Sequence, residues 1–208
     1  MKLKPEELQE NGYILLDHLN HKELVPFIQT HIRKWTKFSV IYYCFNFLIA
    51  GFTGYLLVSD FNSENYSFFI KFSNLSLGLA SALFLVPLHE YIHVVAYKMN
   101  GAANTSYDAN FKKFYFMALA NKFVANKREF QIVALAPFLV VSTILITCIF
   151  LINENWKLSI MATLLAHTTM CSGDFGLLSY FDYHRDKDIV TYDEVESNIS
   201  YFYSRQKQ

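Results

Sequence analysis

The chain is poor in the residues that mark several protein classes. Its three cysteines, Cys44, Cys148 and Cys171, all lie in apolar stretches and none has CxxC spacing, which argues against a disulfide scaffold. Charge is scarce as well: Asp, Glu, Lys and Arg supply 17% of 208 residues, against roughly 25% in ordinary soluble domains. The 18 basic residues balance the 18 acidic ones, so there is no surplus of positive charge for a nucleic-acid surface, and no nucleic-acid partner is expected. Seven glycines exclude a collagen-like chain, and a hydrophobic share of 53% excludes disorder. What is abundant is aromatic: 20 Phe and 14 Tyr, a load suited to rings that meet lipid or headgroups.

The apolar residues collect in four blocks, each long enough to cross a hydrocarbon layer about 30 Å thick at about 1.5 Å per residue. The blocks run from about Trp35 to Val58, Leu75 to Tyr97, Phe130 to Ile152 and Trp156 to Phe181. The expectation is an all-α membrane protein of four transmembrane helices, with the lipid bilayer as its first partner. Residues 1–34 read as a cytoplasmic or interfacial segment, 35–181 as the membrane domain and 182–208 as a cytoplasmic tail. The first 34 residues are mixed and charged, without the pattern of a cleaved signal peptide. Within them, Tyr13–Leu19 and Leu24–Ile32 read as short amphipathic helices at headgroup level. All basic residues except Lys71 and Lys157 fall in the amino-terminal stretch, the connection between the second and third blocks, or the tail. The excess of basic residues on the cytoplasmic side then predicts a multi-pass protein of the cell membrane with both termini cytoplasmic. In the cytoplasmic connection, Asn104–Met117 reads either as an extended β-hairpin at the interface or as a solvated loop.

Ionisable groups inside hydrocarbon cost several kcal/mol unless paired, metal-bound or facing a wet cavity. Block two holds His89, Glu90 and His93, and block four holds His167 and Asp174. His89-Glu90-Tyr91-Ile92-His93 is an HExxH motif. Residues four apart on a helix differ by about 40° in azimuth, so both imidazoles can face one metal ion. Glu90 flanks them, about 100° from His89 and about 60° from His93, placed to hold water and not the metal. A catalytic zinc takes three protein ligands. The soluble extensions of the motif fail here, because Ala96 and Met99 stand where a glycine and a third histidine would be needed.

The one carboxylate in block four is Asp174. Counting from the cytoplasmic end of each helix puts it about 10 Å deep and the histidine pair about 9 Å deep, at one level. His167 and Cys171 share its helix face and compete as third ligand. His167 should sit about 10 Å deeper than Asp174, which suits it better to supporting a ligand or an oxyanion than to direct ligation. Pro87 frees the Leu83 carbonyl and predicts a kink beside the site. Gly173 and Gly176 would allow close helix approach.

These residues, together with Ala134-Leu135-Ala136-Pro137 at the start of the next block and Gly173-Asp174 in the last, resemble membrane-embedded zinc metalloproteases of the site-2 protease type and the related family of putative zincin peptidases. The resemblance covers roughly residues 75–181. It implies zinc held by two histidines and a distant aspartate, with the motif glutamate as catalyst. Site-2 proteases carry glycine after the aspartate within a longer Asn- and Pro-containing signature, whereas Phe175 follows Asp174 here, which favours the zincin family. The expected function is an intramembrane zinc metallopeptidase acting on membrane-anchored proteins or peptides near the cytoplasmic face. His89, His93 and Asp174 would hold Zn2+, and Glu90 would act as general base and acid on a zinc-activated water. The alternative is a non-catalytic membrane metal- or haem-binding protein, a carrier or electron-transfer bundle, in which Glu90 would have no task.

Overall fold

A computed structural model describes residues 2–62, 68–110 and 115–206. In chain order, the strands are β1 (Ile14–Asn20), β2 (Thr105–Asn110), β3 (Tyr115–Ala120), β4 (Ala125–Asn126), β5 (Lys187–Glu194) and β6 (Ile199–Gln206). The helices are α1 (Leu24–Ile32), α2 (Lys37–Asn62), α3 (Phe68–Met99), α4 (Lys127–Leu151), α5 (Glu154–Met170) and α6 (Ser172–Tyr183). The fold therefore corrects the all-α, four-span expectation in two ways: it contains two antiparallel sheets, and only three described helices are long and apolar enough to cross a membrane, within α2, α3 and α4.

The fourth block fails as one helix because the chain turns at Cys171, whose ψ of 4° interrupts the helical geometry between α5 and α6. The 17 residues of α5 reach only about 25 Å at 1.5 Å per residue. This helix also packs against α2, α3 and α4, and three of its hydroxyl groups are satisfied by those neighbours. Thr163 Oγ1 donates to the Gly78 carbonyl at 2.9 Å, Ser159 Oγ to the Asn74 carbonyl at 2.8 Å, and Thr168 Oγ1 to Asn46 Oδ1 at 2.9 Å. The long helices instead present bare rings outward: Phe84 is 84% and Phe150 81% exposed, a surface that water would penalise and hydrocarbon would not.

The segments read as interfacial helix and tail instead form a four-stranded sheet in the order β1-β6-β5-β4, with every pair antiparallel. Ile189-Val190-Thr191-Tyr192 and Ile199-Ser200-Tyr201-Phe202-Tyr203 have the β-branched and aromatic composition that suits a pleated surface. Alternate residues of β6 turn inward, with Ser200, Phe202 and Ser204 buried. Of the two amphipathic helices expected near the amino terminus, Leu24–Ile32 is α1, while the Tyr13–Leu19 region is β1. The hairpin reading of the connection between α3 and α4 is met by β2 and β3, paired from Thr105↔Ala120 to Asn110↔Tyr115; residues 111–114 of that segment lie outside the described residues. The helix α3 runs unbroken through Pro87, and Pro137 stands inside α4 instead of in its opening turns.

Two close approaches fix the layers. A methyl added at Gly78 would overlap the Ser159 carbonyl and come within 2.7 Å of Ala162 Cβ, so the α3–α5 contact requires glycine there. Gly176 plays the same part between α6 and α1, where a Cβ would lie 2.8 Å from Ile28 Cγ2. Beneath the sheet, α4 and α6 meet through stacked Phe130 and Phe181, with ring centroids 4.6 Å apart, and edge-on Phe138 and Phe175 at 5.0 Å. Gly78→Ala is expected to force α3 and α5 apart and to cost about 1–3 kcal/mol, the usual range for overpacking. Thermal unfolding of the detergent-solubilised protein, compared with the exposed control Gly51→Ala, where a Cβ meets nothing within 4 Å, measures it.

Candidate metal centre

The centre forms where the last third of α3 faces the first turn of α6. Helical spacing sets His89 and His93 one turn apart, and their Nε2 atoms come to 3.1 Å. The turn at Cys171 swings Asp174 into the first turn of α6, while buried Phe175 and close-packed Gly176 anchor that helix. Asp174 Oδ1 then lies 3.2 Å from His93 Nε2, and Oδ2 lies 3.3 Å from His89 Nε2.

These three separations provide a test of metal fit. Tetrahedral zinc with bonds of about 2.0–2.1 Å places its ligand atoms about 3.3 Å from one another; the imidazole nitrogens stand 3.1 Å apart, and each meets its own oxygen of the Asp174 carboxylate at 3.2–3.3 Å. Two imidazoles and one carboxylate are also a donor set of the kind that catalytic zinc takes. The other ring nitrogens are engaged from behind. His93 Nδ1 donates to the Val133 carbonyl of α4 at 2.9 Å, which leaves the Nε2 lone pair facing Asp174. His89 Nδ1 lies 3.4 Å from His167 Nε2, and His167 is fully buried.

Two further triads of donor atoms gather within 4.8 Å: His89 with Glu90 and His93, and His89 with His167 and Cys171. They compete for His89, since the second uses the opposite ring nitrogen. The Asp174 contacts, at 3.2–3.3 Å, are shorter than the approach of Cys171 Sγ to the His167 ring. Cys171 Sγ is 4.0 Å from His167 Nε2 and is hydrogen-bonded to the His167 carbonyl at 3.3 Å. Although the sequence count puts His167 about 10 Å deeper than Asp174, the helix break brings it against the back of His89. Glu90 is buried, its Oε2 lacks a hydrogen-bond partner among the described residues, and the Ala118 amide of β3 faces its carboxylate.

One cleft joins this centre to the sheet and holds about 140 Å³, room for a few waters at ~30 Å³ each or for one side chain. Its walls include Phe130 and Leu177 from the helices, Met117 and Ala118 from β3, and Asp193, Ser200 and Phe202 from the terminal strands. Sequence reasoning passed over Val133, Ala118, Asp193 and Ser200. The first two act through backbone groups, which carry no residue signature. The last two lie in strands of the stretch expected to be a tail, whose partners are set by long-range pairing.

Helices converging on two imidazoles and a carboxylate, with a second carboxylate alongside and a cleft leading in, form a centre whose donors could hold a divalent metal. The chain belongs to the putative zincin peptidase family, whose model matches residues 82–186. The match takes in both motif histidines, Glu90, His167, Cys171 and Asp174, and membership points to a zinc metallopeptidase. No curated protein and no solved structure matches the chain.

If His167 holds the His89 ring in its ligating orientation, His167→Ala should weaken zinc binding about 10–100-fold, the usual cost of losing such a support. Competition against a chromophoric chelator reads that change. His167→Gln, whose amide oxygen can accept the same N–H, should recover part of the affinity.

Proposed function

We propose that the protein is an intramembrane zinc endopeptidase of the multi-pass type, arranged like a site-2 protease. In this reading it resides in the cell membrane with both termini cytoplasmic and cleaves membrane-anchored proteins or peptides near the cytoplasmic face. The observation that carries the proposal is the convergence of His89, His93 and Asp174 at 3.1–3.3 Å beside Glu90, whose Oε2 has no hydrogen-bond partner among the described residues. Zinc bound by these three would supply a Lewis acid for the scissile carbonyl and an acidified water. Glu90 takes the proton as the carbonyl is attacked and returns it to the leaving amine. The Ala118 amide faces Glu90 and keeps the carboxylate pointed along β3. The apolar walls exclude bulk water, and the cleft admits one side chain at a time. That Phe84 and Phe150 stand bare supports placement in a bilayer, and joining β1 to β5 and β6 in one sheet supports both termini on one face. A haem or carrier site would leave Glu90 without a task.

The experiment is elemental analysis of the full chain purified in mild detergent, alongside cleavage of single-span reporter proteins in the presence and absence of a chelator. One zinc per chain and chelator-sensitive release of a reporter fragment are expected. Absence of stoichiometric zinc, or a haem Soret band, would sink the reading.

A further inference from the structure

The far end of the cleft carries a carboxylate that the hydrolytic machinery does not use. Asp193, near the end of β5, lines the same cleft as His89, Glu90 and Asp174. Ser200 Oγ donates to Asp193 Oδ1 at 2.6 Å, and the Ala120 amide faces the same carboxylate. Among the described residues no Lys or Arg side chain pairs with the Asp193 carboxylate, the Lys122 amide reaching only its main-chain carbonyl, and neither residue type lines the cleft. The nearest cationic candidate is His21, whose Nε2 lies 3.1 Å from Ser200 Oγ. Its Nδ1 turns to Asp108 Oδ2 at 3.8 Å and burial pushes the imidazole towards its neutral form, so it meets the Asp193 carboxylate only through the Ser200 hydroxyl. Burial likewise pushes the Asp193 carboxyl up. Such a desolvated group gains most from a cation delivered into the cleft.

The strand β3 sets the spacing. Ala118 and Ala120 have the same parity in its pairing with β2, so their amides point to the same edge. One amide faces Glu90 and the other faces Asp193. Two residues of strand advance about 6.8 Å, so the two carboxylates are held one or two peptide residues apart along anything extended beside β3. A substrate whose scissile bond lies at Glu90 places a neighbouring side chain at Asp193.

We propose that Asp193 is a specificity-determining residue that pairs with a Lys or Arg side chain of the substrate, one or two residues from the bond served by Glu90. The inference rests on the zinc peptidase reading and deepens it. It fits substrates anchored in the bilayer, because Lys and Arg concentrate just cytoplasmic of membrane spans.

The test uses the zinc-replete full chain in detergent and a series of short peptide hydroxamates. Each member carries arginine, its neutral isostere citrulline, norleucine or glutamate at the first or second residue from the chelating group. The wild-type protein is expected to bind the arginine member about 30-fold more tightly than the citrulline member, the scale of a desolvated charge pair. Asp193→Asn should bring that ratio close to one while leaving citrulline and norleucine affinities unchanged. No arginine preference in the wild type, or a preference that survives Asp193→Asn, overturns the proposal for Asp193 alone. The wild-type comparison needs no variant to fold. Failure of every hydroxamate to bind zinc-loaded protein overturns the peptidase reading along with it.

Discussion

Glu90→Gln is expected to lower cleavage by about three orders of magnitude, within the span attributed to a positioned general base, while zinc stays at one per chain. The amide has the shape of the carboxylate and can remain beside the Ala118 amide, but it cannot take up a proton. Because His89, His93 and Asp174 make up a three-donor set without Glu90, metal content is expected to hold. Single-turnover cleavage of a reporter and elemental analysis on the same preparation measure both. Cleavage at the wild-type rate would assign the proton transfer to another group; loss of zinc would make Glu90 a ligand.

Asp174→Ala should have the opposite signature, with metal lost first and activity lost as a result. It removes the one carboxylate that meets both imidazoles at 3.2–3.3 Å, leaving two neutral donors in a buried site. Zinc affinity is expected to fall on the order of 10³-fold or more, beyond the 10–100-fold typical of a supporting residue. Chelator competition reads it. Cys171→Ala is the companion variant, because Cys171 belongs only to the rival triad with His89 and His167. Retained zinc there, with zinc lost in Asp174→Ala, selects the aspartate set; the reverse pattern selects the thiolate set.

The positions of these residues were legible because hydrocarbon makes polar groups conspicuous. His89, Glu90, His93, His167 and Asp174 stood out against apolar neighbours, and counting along two helices brought the aspartate to the level of the histidine pair. Three elements were misread for identifiable reasons. The block from Trp156 to Phe181 has the composition of a span, but the turn at Cys171 follows from tertiary packing: α5 is enclosed by three helices, and α6 is drawn onto Ile28 of α1. β1 and β6 are short, with Asp17, His18, Arg205 and Gln206 among their residues, and pair across most of the chain. Local charge therefore masked alternation that only long-range pairing reveals. The support for His93 comes from a carbonyl, that of Val133, which any residue there could offer.

The order of strands has a consequence for biosynthesis. β6, which follows the other described strands in sequence, is an inner member of the sheet, flanked by β1 and by β5. Every group proposed to bind zinc has been translated once residue 174 emerges, yet Ser200 and Phe202, which wall the cleft, leave the ribosome more than twenty residues later. On the proposed reading, a nascent chain can thus assemble the zinc ligands before it has the wall that would grip a polypeptide.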